Sequence, residues 1–272
     1  MLLRKITKHV TDQNWFAVFI DFLIVVVGIL IAFQITEWSA KRAEYNRVNE
    51  ILYELRTDLN ADIKIYTEAI DSTLNRIAVA EYIAQQAPTA GISNWEDTEE
   101  LYVSVSLNAY SKLIETSPEL QKKSFSERMI NRKDQLWSTI LDVFNPPSYT
   151  ASFDSLLNSG ELGLFENQDL VSAIQDYRFW TNGLEGMQNN TIRPSRNSST
   201  AVGHIYGLSA FGSVKEDQFI ELVQNNSQLA ATIQTEYGRA KRHFRVKANV
   251  KSNAQKLLKM IESELEIENQ SD

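Results

Sequence analysis

The residue types that ordinarily carry protein chemistry are sparse in this chain and do not fall into a familiar pattern. His9, His204 and His243 are the only histidines, and there is no cysteine. That excludes disulfides, thiolate nucleophiles and Cys-ligated zinc or iron-sulfur sites. No H-E-x-x-H, G-x-S-x-G, G-x-x-x-x-G-K-S/T or G-x-G-x-x-G string occurs, so the zinc-peptidase, serine-nucleophile, P-loop and dinucleotide chemistries lack their residues. An acid/base pair among the 35 Asp and Glu is indistinguishable in sequence from solvated surface. The reading is a protein that is not an enzyme, with no catalytic residue, no metal and no cofactor. One group could meet an anionic ligand: Arg193, Arg196, His204 and Tyr206 lie in residues 186–212, the least periodic stretch, which reads as a loop.

The elements that would hold such groups are helices. Five prolines and ten glycines in 272 residues are too few for a β-sandwich or barrel, which needs a turn every 8 to 12 residues. The expected fold is all-α. Lys and Arg number 27 against 35 acids, a formal net charge of -8, so bulk attraction to nucleic acid is not expected.

Residues 16–36, FAVFIDFLIVVVGILIAFQIT, contain only Asp21, Gly28, Gln34 and Thr36 outside the apolar set. As a helix they extend about 31 Å, the thickness of a bilayer's hydrocarbon core. Trp15 and Trp38 bracket them, as interfacial indole anchors would. A cleaved signal peptide would have a shorter apolar core followed by an A-x-A site, and IAFQITEWSA offers none. The expected organisation is a short tail over 1–14, a transmembrane helix over 15–38 and a helical aqueous domain over 39–272. The lipid bilayer is thus the first partner. Flanking Lys and Arg are balanced across the span. The short tail, free of acid until Asp12, favours the tail in the cytoplasm and a periplasmic domain on the inner membrane. An acid inside a spanning helix is rarely turned to lipid. Asp21 shares a stripe with Gly28 and Ala32, whose small-xxx-small spacing would let a second helix approach, from another membrane protein or another copy. The alternative is a protonated or water-reached acid among small residues common in such helices.

Beyond Trp38 the helical pattern continues to about Gln86 without proline or glycine. Its apolar positions follow an 11-residue repeat (Val48, Leu59, Ile70; Leu52, Ile63, Leu74; Leu55, Tyr66, Ile77), which keeps a stripe nearly straight. A second long helix is expected over 227–268, with Leu229, Ile233, Ala240, Phe244, Ala254, Leu258, Ile261 and Leu265 on its stripe. The two should pair antiparallel. The eight Lys and Arg of residues 237–261 would then face acids of the first helix, from Glu44 to Asp71. Shorter helices are expected near 96–114, 125–143, 150–159, 168–190 and 214–225, with VSVS at 103–106 a possible strand. Ser124 with Glu127 and Ser213 with Glu216 fit capping boxes, and Asn158-Ser159-Gly160 reads as a helix stop.

Two strings, IDFLIVVVGILIAFQITEW at 20–38 and FDSLLNSGELGLFENQDLVSAIQDYRFW at 153–180, resemble a bacterial family of single-pass membrane proteins defined as a domain of unknown function. The family's acid, Gly-Ile, Ala, Gln and Trp positions fall on Asp21, Gly28, Ala32, Gln34 and Trp38; Thr36 departs from the usual Asn. Leu156, Ser159, Gly160, Leu162, Asn167, Leu170 and Tyr177 occupy the second pattern. The resemblance implies a membrane anchor and a helical domain, and brings no activity or ligand with it. The leading functional expectation is a membrane-anchored scaffold or interaction protein. A sensory or ligand-binding ectodomain that signals through a partner membrane protein is the alternative, because 14 residues ahead of Trp15 are too few for an output domain. An enzyme without a known motif comes third.

Overall fold

A computed structural model describes residues 15–88 and 128–269. All regular structure among them is helical. The elements are α1 (Trp15–Gln86), α2 (Leu136–Leu141), α3 (Ala151–Ser159), α4 (Gln168–Met187), α5 (Arg193–Ile205), α6 (Glu216–Asn225) and α7 (Ser227–Asn269). Two 3-10 turns, Lys133–Gln135 and Glu161–Leu164, and a π-helical segment, Gln188–Ile192, complete them. The helix expected at 96–114, the VSVS alternative and the Ser124–Glu127 box lie outside the described residues. The chain divides into two compact units, one up to Ile51 and one from Leu52 onward.

In the first unit α1 carries an 18-residue window of mean hydropathy 2.8, none of it buried. Phe22, Ile24, Phe33 and Ile35 are each 60–67% exposed. A helix apolar on all sides, with no protein packed on it, has the length and composition to cross a membrane.

The second unit is built on an antiparallel pair. Ile70, Leu74, Ile77 and Ala80 of α1 pack against Tyr237, Ala240 and Phe244 of α7. Along α1 the residues Leu52, Leu55, Leu59, Asp62, Tyr66, Ala69, Thr73, Arg76, Ala80 and Ile83 are all buried. Their spacing alternates three and four, a heptad seam that winds two helices into a left-handed supercoil. On α7 the same alternation runs through Leu229, Ile233, Glu236, Ala240, His243, Lys247, Val250, Ala254, Leu257 and Ile261, again all buried. This corrects the 11-residue repeat: Ile63 and Leu258 are only half-buried, and Leu257 takes the core position. Counting apolar residues alone misses the seam because Asp62, Thr73, Arg76, Glu236, His243 and Lys247 stand in it.

The short helices close over this pair. Trp137, Ile140 and Leu141 of α2 join Val79, Ile83, Phe219, Val223 and Ile233 in one apolar cluster. Gly160 ends α3 at φ 77, the left-handed C-terminal position that glycine fills without strain. The Asn167 side chain caps α4 by accepting from the Leu170 amide. The expected single helix at 125–143 is interrupted: Asn131 has φ 61, and an αL residue stops an α-helix before the 3-10 turn restarts it. Ser213 does not cap α6; Lys215 is its N-cap, with no side-chain bond.

The largest correction is at 186–212, which is helical up to Ile205. Pro194 removes one N–H from the helix and would crowd the carbonyl four residues back. The chain widens ahead of it: the Arg193 amide reaches Gln188 O, and α5 continues with Pro194 in its first turn, where proline is tolerated. Low apolar content hid α5, since its core contacts are made by Ser199 and Gly203. A Cβ at Gly203 would lie 2.4 Å from Trp137 Cζ2. Gly203→Ala should therefore cost about 1–3 kcal/mol through overpacking, despite alanine's better helix propensity, and urea unfolding of the full chain would read it.

Candidate functional site

The polar seam residues converge around Arg76, which is 2% exposed. Its Nε donates to Ile140 O at 2.8 Å and its Nη2 to Glu236 Oε2 at 3.0 Å. Its Nη1 lies 3.3 Å from His243 Nδ1. Because guanidinium only donates, Nδ1 must accept, which leaves the imidazole neutral with its proton on Nε2. Glu236 Oε1 accepts from Ser199 Oγ at 2.7 Å and Arg239 Nη1 at 2.6 Å. One buried carboxylate therefore fastens α1, α5 and α7 together.

Lys247, four residues along, is 1% exposed and donates to Phe144 O at 2.6 Å and Thr73 Oγ1 at 3.1 Å. Burial first, and Arg76 next, bring its ammonium down to about 7, against the pull of Asp142. The same desolvation, with Arg76, Lys247, Arg239 and Arg242 around it, lowers His243 to about 3. Burial lowers Arg76 to about 10, with Glu236 opposing. A neutral amine and imidazole are the raw material of nucleophilic or general-base chemistry. Here they are sealed: neither described cavity is lined by any of these residues. Their bonds to backbone carbonyls and to one another make them positioning groups for the helix pair.

A second polar cluster lies further down α1. Asp62, fully buried, accepts from the Tyr149 amide at 2.7 Å and Tyr177 Oη at 2.6 Å. Burial raises its carboxyl to about 6. Tyr66 shares a hydrogen bond with Ser148. Asp58 binds the Ser152 amide and hydroxyl, and Asp71 pairs with Arg128 at 3.0 Å. Three acids expected to face the basic run of α7 thus hold other segments, while Lys247 uses a carbonyl and a hydroxyl. Acids at short-segment amides satisfy orphan N–H groups; that local demand outweighs a long-range match of charge runs. Asp62→Asn keeps the shape and should flatten the fall in stability that a raised carboxyl produces between about pH 4 and 6. Urea midpoints at pH 4.5 and 6.5 for parent and variant would show it.

The sequence-selected residues divide. Asp21, Gly28 and Ala32 are exposed on α1, and nothing lies within 4 Å of a Cβ placed on Gly28. Trp15 is the first described residue of α1. Trp38 is 64% exposed, with the Arg42 guanidinium 5.9 Å from its ring centroid. Arg193 and His204 are exposed near opposite ends of α5, about 16 Å apart along its axis. Tyr206 donates to Gln228 Oε1. The four do not form one anion site. Arg196 alone lines a cavity of about 370 Å³, with Asp142, Thr139, Phe211 and Ser213 among its walls. Sequence reading overlooked Asp142 and the Arg76–Glu236–His243–Lys247 group. The available signal was a lone arginine in the apolar run RIAVA, spaced by heptads from Leu55 and Leu59.

No family model matches the chain, and no curated protein and no solved structure matches it either.

Proposed function

We propose that the chain is a non-enzymatic single-pass membrane protein of the bacterial inner membrane, whose helical domain serves as an anchored scaffold or interaction module on the periplasmic side. The observation that supports it most is the unburied apolar window of α1, mean hydropathy 2.8. In water such a surface is a strong driver of aggregation, and in lipid it is an anchor. Trp38, with Arg42 against its ring, is suited to the headgroup layer at one end. Gly28 and Ala32, exposed beside Asp21, leave a face on which another membrane helix can pack. The resemblance of residues 20–38 to single-pass anchors agrees with this reading.

Full-length protein should sediment with membranes, resist an alkaline carbonate wash and require detergent for release. Recovery in the supernatant of a detergent-free lysate would refute the anchor. An alkaline phosphatase fused after Asp272 should be active, whereas an inactive fusion beside an active cytoplasmic reporter would reverse the orientation. Gly28→Ile should abolish crosslinking to a partner helix and leave membrane recovery unchanged. The cavity at Arg196 favours a second reading, an ectodomain that binds a small solute and signals through a partner at Asp21 and Gly28.

A further inference from the structure

The cavity beside α5 holds two opposite charges that do not pair with each other. Arg196 lies on the same α5 stripe as Ser199 and Gly203, one turn before Ser199. Those two are buried, so Arg196 stands at the edge of the core face with its guanidinium exposed. Among the described residues it makes no hydrogen bond or ion pair. Asp142 follows the last turn of α2; its amide bonds Thr139 O, and its exposed carboxylate accepts no hydrogen bond among the described residues. A carboxylate at a helix C-terminus gains nothing from the helix dipole. The walls between them offer the hydroxyls of Thr139 and Ser213 and an apolar side from Ala210 and Phe211. Phe211 is 92% exposed, the most exposed large apolar side chain among the described residues. The turn that carries it is held: the Val214 amide donates to Asp134 O at 3.0 Å, and Leu208 is buried.

We propose that this cavity binds a small zwitterion of amino-acid size, with its carboxylate on Arg196, its ammonium on Asp142 and its short hydrocarbon stem against Phe211. Charges of opposite sign held on one cavity without closing a salt bridge are complementary to a ligand that carries the matching pair. A dianion would meet Asp142 and a diamine would meet Arg196, so ligands of a single sign are disfavoured at one end. The volume, about 370 Å³, is near the lower limit of about 300–1,000 Å³ for small-molecule sites. The proposal deepens the second reading above and rests on it only for what the domain does once a ligand is bound.

Isothermal titration of detergent-solubilised full-length protein with L-glutamine, β-alanine and 4-aminobutyrate, whose charges are separated to different extents, tests it. Succinate and putrescine serve as the single-sign controls. At least one zwitterion should bind saturably, at least 10-fold more tightly than either control, and Arg196→Gln and Asp142→Asn should each weaken it 10-fold or more. Failure of all three zwitterions to bind overturns the proposal, as does succinate or putrescine binding as tightly as the best of them. Arg196→Gln removes no internal bond and decides the matter even if Asp142→Asn lowers the melting temperature; unchanged affinity in that variant also overturns the proposal. Binding by protein that fails the carbonate test would leave this site standing and remove only the membrane anchor.

Discussion

Arg76→Ala should lower the unfolding free energy of the helical domain by about 3–5 kcal/mol, the cost of leaving a buried carboxylate without its cation. Three bonds go at once: to Ile140 O, to Glu236 and to His243. Glu236 keeps Ser199 and Arg239, but only Arg76 meets Oε2 from the opposite helix. A double variant with Met at both Arg76 and Glu236 should recover most of the loss. Buried ion pairs, weighed against well-packed apolar residues, are often neutral or destabilising. Urea denaturation of the two single variants and the double variant, as a thermodynamic cycle, would measure the coupling. A single-variant loss below about 1 kcal/mol would mean the pair is hydrated.

A second large effect is a gain of stability on the alkaline side of neutrality. Lys247 is lowered to about 7 in the fold, whereas an unfolded lysine titrates near 10.4. Between those values the unfolded chain carries the extra proton, so stability rises with pH. From pH 7 to 9.5 the rise should be about 3 kcal/mol, with the lowering of Lys241 acting in the same direction. Above pH 10 burial of Tyr66 and Tyr177, which raises both phenols, reverses the trend, because the fold then holds protons that the unfolded chain has lost. On the acid side two groups oppose each other. His243, lowered to about 3, makes stability rise through pH 3 to 6.5; Asp62, raised to about 6, makes it fall from about 4 to 6. Lys247→Met should remove the alkaline rise and stabilise the domain at pH 7. Chemical denaturation across pH 6–10 would check this, and a flat parent profile would mean that Lys247 stays protonated in the fold.

The sequence disclosed what depends on long uninterrupted patterns. Both long helices, their antiparallel pairing, the stop at Gly160 and α3, α4 and α6 within a few residues were all readable there, since each rests on breakers, caps or extended apolar periodicity. The heptad seam was not, because its period runs through Asp62, Arg76, Glu236, His243 and Lys247, which a hydrophobicity count scores as surface. Their burial depends on partners 64 to 167 positions away, and no local window contains those. The helix α5 was missed for a related reason: it packs with a serine and a glycine, and its density of Asn, Ser and Arg imitates a loop. Of the candidate site, Arg196 was identified from its charge, but Asp142 enters only through the fold that brings the end of α2 beside α5.

The widened turn at Gln188–Ile192 sets rotational phase. An α-helix turns about 100° per residue, so shortening this segment by one position would swing the following helix by more than a quarter of a circle. Ser199 would then leave Glu236, Gly203 would leave Trp137, and Arg196 would point away from the solute cavity. A deletion of a single amino acid there should be more damaging than most substitutions in the core.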